Sequence, residues 1–149
     1  MAEVQAFTDG ACRGNPGRGG WAWADDVGAF ASGFEARTTN QRMEITAVLE
    51  ALRAHPGPGP IEVVSDSTYV VNCFRDRWYE GWRRRSWRNS RGKPIANRDL
   101  WEPLLELALG DGAQVRFSWV KGHAGDEMNE QVDALATEAA DTGHGVRSA

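Results

Sequence analysis

Short apolar segments separated by polar turns dominate the first third of the chain. Residues 3–7, 21–24 and 29–34 are rich in Val, Phe, Trp and Ala, and their close spacing predicts three strands in an antiparallel meander. From residue 41 to residue 54 the apolar positions recur at helical spacing, after capping residues at 38–40 and before a Pro/Gly-rich loop at 55–60. The pattern therefore predicts three strands followed by one long helix.

The second half alternates between strands and helices. Residues 61–65 and 114–120 are predicted strands, and helices are predicted over 67–74, 76–85, 98–109 and 126–140. In the third of these helices Leu100, Leu104 and Leu107 are expected to face inward. A strand–helix–strand order implies a right-handed crossover, so the strand at 61–65 should lie parallel to the first strand. The chain is therefore expected to be α/β, with one mixed sheet.

The totals are typical of one soluble domain. The chain has 149 residues, of which 41% are hydrophobic and 26% charged. It contains no apolar run of about 20 residues and no secretory signal, so no membrane association is expected. Two cysteines make no disulfide framework, which favours the cytoplasm. Residues 142–149 are expected to form a flexible C-terminal tail.

The charge is distributed unevenly along the sequence. Residues 74–98 hold nine basic and two acidic side chains, a net charge of +7, whereas the whole chain has a net charge of −4. The remaining residues are therefore strongly acidic. A basic segment on an acidic body suggests that one surface binds a polyanion and that an acidic site lies elsewhere.

Two aspartates follow predicted strands that should be neighbours. Asp9 ends the first apolar run and Asp66 ends the strand at 61–65. Ligands of open α/β sheets bind outside the carboxyl ends of parallel strands, so both side chains should project into one site. The alternative for Asp9 is a structural role, since an Asp before Gly often hydrogen-bonds its own backbone in a turn.

Two further acidic residues lie on predicted helices. Glu44 shares a face with Val48, although a Glu at the edge of an apolar stripe can also reach solvent, and Asp133 lies on the side of the last helix that carries Ala136. Each pair of carboxylates about 4 Å apart costs on the order of 4 kcal/mol at an effective dielectric of 20. A converging group therefore requires cations, and all-oxygen ligands favour Mg²⁺ or Mn²⁺ over zinc. Beside a basic segment, such cations indicate phosphodiester chemistry.

Five motifs in order resemble those of type 1 ribonuclease H in its bacterial stand-alone form. They are TDGACRGNPGRGG, TTNQRMEITA, VVSDSTYV, the Trp- and Arg-rich segment through KPIANRDLW, and WVKGHAGDEMNEQVDALA. The resemblance covers residues 3–140. It implies a ribonuclease H-like fold, with a five-stranded mixed sheet of order 3-2-1-4-5, flanking helices and a basic protrusion, and a catalytic domain over residues 1–141.

The resemblance also implies an activity and its residues. The activity is endonucleolytic cleavage of the RNA strand of RNA–DNA hybrids, leaving 3′-hydroxyl and 5′-phosphate ends, with two Mg²⁺ ions that Mn²⁺ can replace. The matching metal ligands and catalytic carboxylates are Asp9, Glu44, Asp66 and Asp133. His123 matches a mobile histidine that assists proton transfer or product release, although a loop histidine is otherwise a surface residue. Asn129 matches a supporting position.

Substrate-binding positions follow from the same resemblance. Residues matching those that line the hybrid's minor groove are Cys12, Gly14, Asn15, Asn40 and Gln41. A pocket for a DNA-strand phosphate is matched by Arg37, Thr39 and Asn97. The basic protrusion is matched by Trp78, Trp82 and Trp87 with Arg83, Arg84 and Arg85, although helix packing is the alternative role for each Trp. The expected partner is an RNA–DNA hybrid, bound by a monomer.

Other functions fit parts of the pattern. Another nuclease of the same superfold, such as a resolvase or integrase, would share the carboxylates. A non-catalytic hybrid-binding module would share the basic segment. A small acidic α/β protein with a solvated Arg-rich face would need no nucleic acid at all.

Overall fold

The computed structural model describes residues 3–57, 59–121 and 126–148. One mixed sheet has the strand order β3-β2-β1-β4-β5. Its strands are β1 (Val4–Gly14), β2 (Gly17–Asp25), β3 (Phe30–Thr38), β4 (Ile61–Ser65) and β5 (Val115–Trp119). The helices are α1 (Asn40–Ala54), α2 (Thr68–Arg75), α3 (Trp78–Arg84), α4 (Arg98–Leu109) and α5 (Glu127–Thr142). The predicted meander and strand order are confirmed.

The first strand is longer than the sequence pattern predicts. Antiparallel pairing with β2 continues as far as Gly14, so Asp9 lies within β1 and not at its end. The parallel pairing of β1 with β4, however, stops at Thr8 and Ser65. Asp9 and Asp66 are thus the first residues beyond the parallel ladder of two adjacent strands. The expected juxtaposition is confirmed, although Asp9 lies where the parallel pairing stops and not where its strand ends.

Helices cover both faces of the sheet and bury two apolar clusters. On one face, Val48 and Leu52 of α1 pack with Val63 and with the fully buried Trp101 of α4. On the other face, Val132 of α5 packs against inward-facing residues of β1, β2 and β4. The end of the sheet that carries Asp9 and Asp66, called the acidic edge from here on, therefore lies between α1 and α5, which pack on separate apolar clusters.

Two glycines let these helices approach the central strands closely. A Cβ on Gly10 of β1 would lie 2.6 Å from the backbone nitrogen of Glu44, and a Cβ on Gly20 of β2 would lie 2.1 Å from the carbonyl oxygen of Ala136. Real side chains do not tolerate such distances to backbone atoms. The absence of a side chain at each position brings the first turn of α1 and the second half of α5 against the sheet.

Helix α4 presents a different face to the core from the one predicted. Leu104 is buried and Leu100 half-buried, as expected, but Leu107 is 40% exposed. The buried face also includes Trp101, Leu105 and Ala108. The prediction for Leu107 is wrong because a bulky indole at residue 101 fixes the rotation of the helix about its axis.

The C-terminal residues lie along the outer edge of the sheet. Helix α5 continues to Thr142 and ends at Gly143, which has a φ of +82°. Beyond it, the backbone N–H of Ser32 donates to Val146 (2.7 Å) and that of Ser148 donates to Phe30 (2.9 Å). The flexibility of this tail stays a prediction. Among the helices in the described ranges, none combines the length and the apolar character needed to cross a membrane.

Candidate active site

Asp9 is the most deeply buried carboxylate at the acidic edge. Its side chain is 7% exposed, and the backbone N–H of Gly10 donates to one carboxylate oxygen at 2.9 Å. This hydrogen bond is of the kind expected if Asp9 had only a structural role, but it satisfies just one of the lone pairs of the carboxylate. The rest of the side chain faces other acidic groups.

The neighbours of Asp9 strongly disfavour its charged form. Burial, followed by the charge of Asp66, raises the pKa of Asp9 to about 8, although the bond from Gly10 opposes the rise. Asp133 adds to it, both through its charge and by accepting a hydrogen bond from protonated Asp9. A carboxyl group with such a pKa marks a position built for a positive partner.

Glu44 completes the group from the first turns of α1. It is half-buried, and burial raises its pKa, as does the charge of Asp66, whereas a hydrogen bond from the Ser67 hydroxyl lowers it. The Ser67 oxygen in turn accepts from the backbone N–H of Val70 at 3.2 Å and so caps α2. Ser67 therefore orients Glu44, a role the sequence analysis missed, although a Ser at a helix start signals the cap.

Asp133 and Asn129 lie one turn apart on α5. Asp133 is half-buried, and Asn129 is 4% exposed. Among the described residues, the side-chain oxygen of Asn129 finds no hydrogen-bond partner. A buried amide oxygen without a donor is costly, so this atom is suited to a cation or to a water molecule that a cation holds.

Four elements of the chain thus contribute carboxylates to one edge of the sheet. Within residues 3–57, 59–121 and 126–148, no three acidic, His or Cys side chains are already close enough to enclose one ion. Like charges separate unless a cation lies between them. The predicted His123 lies outside the described residues.

A groove of about 650 Å³ leads away from the acidic edge. Its lining includes five predicted residues, Asn15, Thr39, Asn40, Gln41 and Asn97, as well as Glu44 and Asp66. Cys12, Gly14 and Arg37 lie outside this lining. The Cys12 thiol donates to the carbonyl of Thr38 at 3.4 Å, and Gly14, with a φ of +86°, forms the end of the β1–β2 hairpin.

The groove is built around the N-terminus of α1. The Thr39 hydroxyl oxygen caps the helix by accepting from the backbone N–H of Arg42 at 3.2 Å. The Asn15 side chain accepts from the backbone N–H of Asn40 at 3.0 Å, and so ties the β1–β2 turn to the helix. The helix dipole gives such a terminus a positive potential, which favours a phosphate nearby.

The basic segment forms a protrusion made of α3 and the loop after it. Trp78, Trp82 and Trp87 are all half-buried and pack against the core cluster that contains Trp101. The packing alternative is therefore confirmed for all three, although Trp78 and Trp82 also line a shallow cavity of about 370 Å³. Arg83, Arg84 and Arg85 are exposed to solvent, where a polyanion can reach them, and the Arg83 guanidinium lies over the Tyr79 ring, 5.5 Å from its centroid.

The strand order and the acidic edge define a protein of the ribonuclease H-like class. A family model described as RNase H matches residues 1–141. The chain therefore belongs to the ribonuclease H family, whose members depend on divalent metal ions.

Known proteins support this membership over most of the chain. A ribonuclease H of Nitratidesulfovibrio vulgaris is 49% identical over 150 residues, which cover 96% of this chain and 93% of that protein. One of Thermus thermophilus is 50% identical over 140 residues, covering 92% of this chain and 83% of the relative. The crystal structure of LC9-RNase H1, a type 1 RNase H with the type 2 active-site motif, has a TM-score of 0.81 at 30% identity and covers 99% of this chain and 79% of that one.

Proposed function

We propose that this chain cleaves the RNA strand of RNA–DNA hybrids endonucleolytically, leaving 3′-hydroxyl and 5′-phosphate ends. The observation that carries the proposal is the convergence of Asp9, Glu44, Asp66 and Asp133, in which burial and then the charges of Asp66 and Asp133 raise the pKa of Asp9 to about 8. A protein keeps a carboxyl group in such surroundings for a chemical purpose more often than for stability. The names of the relatives support the same reaction class.

The residues present fit divalent cations. Asp9, Glu44, Asp66 and Asp133 would supply oxygen ligands, and the unpartnered oxygen of Asn129 would bind a water of the same shell. Hard oxygen donors favour Mg²⁺, with Mn²⁺ as a substitute. When bound there, two such ions would supply the Lewis-acid chemistry that activates the attacking water and stabilises the departing 3′ oxygen. His123 is proposed to assist proton transfer or product release.

The groove and the protrusion are proposed to bind different parts of the hybrid. In the groove, the Asn15, Asn40 and Gln41 amides can both donate to and accept from the 2′-hydroxyls that distinguish the RNA strand. Cys12 and Gly14 would contribute from the adjoining hairpin. Arg37, Thr39 and Asn97 are proposed to bind a DNA-strand phosphate. On the protrusion, Trp78 and Trp82 would contact deoxyribose through their exposed edges.

Location and assembly are also proposals. Cys12 and Cys73 are free thiols, which supports the cytoplasm. All four carboxylates come from one chain, so a monomer suffices for the reaction. Residues 142–149 lie outside the part matched by the family model, and we propose that they are dispensable for cleavage.

Mg²⁺ affinity is expected to weaken as the pH falls below about 8. The pKa of Asp9 is raised to about 8, so below that pH a cation must displace a proton. Loss of one proton per ion predicts a rise in the dissociation constant of about tenfold per pH unit. Calorimetric titration at pH 6.5 and 8.5 measures this, with Asp9→Asn as the control that should lose the dependence. Equal wild-type affinities at both pH values would argue against Asp9 as a ligand.

Replacing the three protrusion arginines is expected to weaken hybrid binding and to flatten its salt dependence. Arg83, Arg84 and Arg85 are exposed, and each phosphate contact adds about 0.9 to the slope of log affinity against log salt. The triple Ala variant should therefore lose up to about three units of slope. Fluorescence anisotropy in EDTA at several salt concentrations measures it. An unchanged slope would place these side chains away from the duplex.

A panel of substrates tests the proposed function. RNA–DNA hybrid, double-stranded RNA, double-stranded DNA and a DNA junction, each labelled on one strand at a time, are incubated with Mg²⁺ or with EDTA. We expect cleavage only of the RNA strand of the hybrid and only with Mg²⁺, with 5′-phosphate on the downstream product. Cleavage of DNA junctions without activity on hybrids would instead favour a resolvase-like nuclease, and metal-dependent cleavage of neither would contradict the proposal.

A further inference from the structure

Asn97 has an unusual backbone conformation at the rim of the groove. It precedes α4 with φ 65° and ψ 25°, in the left-handed region, and its side chain makes no capping bond to that helix. Asn adopts this region more easily than most residues, but the conformation still persists only where surrounding contacts hold it. The side chain of Asn97 makes those contacts with other helices.

Two neighbours determine which way the Asn97 amide points. A guanidinium nitrogen of Arg42 donates to the side-chain oxygen at 3.3 Å, and the amide nitrogen donates to the Tyr69 hydroxyl oxygen at 3.3 Å. A guanidinium can only donate, so the amide oxygen must face Arg42 and the NH₂ group must face Tyr69. The opposite rotamer would set donor against donor.

Both neighbours are themselves held in place. Asp99 accepts two hydrogen bonds from Arg42, at 3.0 and 2.7 Å. The Tyr69 oxygen also accepts from the indole N–H of the fully buried Trp101 at 3.1 Å, and the two rings pack edge to face. Side chains of α1, α2 and α4 therefore converge on one amide, which is fixed before any ligand binds.

We propose that Arg42 and Tyr69 are positioning residues that orient the Asn97 amide so that its second N–H faces the groove and donates to a phosphate oxygen. This inference rests on the proposed function, since the phosphate belongs to the bound hybrid. Thr39 would be the second donor to the same phosphate, because its oxygen is occupied by the helix cap and its O–H is left to donate. Asp99 neutralises Arg42, so Arg42 contributes orientation and not net charge.

The first readout is the amide of Asn97 itself. Side-chain ¹⁵N–¹H spectra are recorded for the wild type, Tyr69→Phe, Arg42→Gln and Arg116→Gln, with the Asn97 signals assigned by their loss in Asn97→Ala. Arg116 is a matched control, because it forms a two-bond pair with Glu3, at 2.9 and 2.7 Å, on the far strand β5. Tyr69→Phe and Arg42→Gln should shift the Asn97 pair, and Arg116→Gln should leave it unchanged.

The second readout separates positioning from general stability. Loss of one oriented hydrogen bond predicts a KM for hybrid raised by about 2- to 10-fold in Tyr69→Phe, with kcat nearly unchanged. In an Asn97→Ala background the same substitution should add nothing, since the oriented amide is already gone. Arg116→Gln should not alter KM.

Two results would overturn the inference. One is an Asn97 amide pair that is unmoved in both Tyr69→Phe and Arg42→Gln. The other is a rise in KM that persists fully in the Asn97→Ala background, which would mean that Tyr69 acts elsewhere. A wild type that cleaves no hybrid would refute the proposed function, while the amide spectra would still decide whether Arg42 and Tyr69 orient Asn97.

Discussion

Asp9→Asn is expected to abolish hybrid cleavage while leaving hybrid binding intact or tighter. The substitution removes a proposed metal ligand at the centre of the acidic edge without touching the groove or the protrusion. Cation stabilisation of several kcal/mol corresponds to a fall in kcat of at least about 1000-fold. Single-turnover cleavage with Mg²⁺ and anisotropy in EDTA measure the two properties separately.

The same substitution should stabilise the metal-free protein at pH 8. Burial and the charges of Asp66 and Asp133 raise the pKa of Asp9 to about 8, whereas in the unfolded chain it is near 3.9. The folded state therefore keeps a proton that the unfolded state releases, and stability is lost as the pH rises from about 4 to about 8. Asn carries no such penalty. In EDTA the free energy of unfolding of Asp9→Asn should therefore exceed that of the wild type by on the order of a few kcal/mol at pH 8 and by little at pH 4.

Asp25 provides a matched control, because it is also buried but is surrounded by hydrogen-bond donors, whereas Asp9 is surrounded by carboxylates. Burial raises the pKa of Asp25, but hydrogen bonds from His55 (2.8 Å) and from the backbone of Ala29 and Val27 outweigh it and hold the pKa below its ordinary value. Asp25→Asn should therefore destabilise the fold near neutral pH, and the effect should fade as the pH falls through the lowered pKa. Near-wild-type cleavage by Asp9→Asn, or its destabilisation at pH 8, would refute the account of Asp9.

Gly10→Ala is expected to reduce both stability and cleavage. The added Cβ would lie 2.6 Å from the Glu44 nitrogen and 2.6 Å from the Met43 carbonyl carbon, so the first turn of α1 must move away from β1. Overpacking of this kind costs about 1–3 kcal/mol. Because Glu44 moves with the helix, a displacement of about 1 Å should lower kcat by about 100-fold. Urea unfolding and single-turnover cleavage below the melting transition measure the two effects.

Gly81→Ala is the comparison for the stability part of this prediction. A Cβ at Gly81 would meet only the guanidinium end of Arg85, a flexible side chain that can turn aside. We expect Gly81→Ala to fold as stably as the wild type. Wild-type kcat in a folded Gly10→Ala variant would show that the position of α1 does not control Glu44.

Much of the fold follows from local patterns. The strand at 61–65 and the helix ending at residue 54 are found where their apolar spacing predicts them, because a β-branched run and a Pro/Gly-rich stop leave few alternatives. The placement of Asp66 beside Asp9 follows from strand direction alone. The acidic edge could therefore be anticipated before any tertiary contact was known, and the motifs supplied Glu44 and Asp133 as its other members.

Long-range contacts account for what the sequence could not predict. Asp9 lies inside a strand because β2 pairs with the residues beyond it, and no property of residues 10–14 predicts this pairing. Leu107 is exposed because Trp101, six residues earlier, faces the core and sets the rotation of α4. The bonds that orient the Asn97 amide span 28 and 55 residues, so spacing along the chain carries no sign of them.

The central claim is that carboxylates from four elements hold divalent cations against the RNA strand of a hybrid. Crystals of the protein grown with an RNA–DNA hybrid in EDTA, soaked briefly in Mn²⁺ and frozen, test it through anomalous scattering. We expect two peaks at metal–ligand distances of about 2.1 Å from oxygens of Asp9, Glu44, Asp66 and Asp133, beside a phosphate of the RNA strand. Peaks remote from these carboxylates, or a DNA strand lying across them, would contradict the claim.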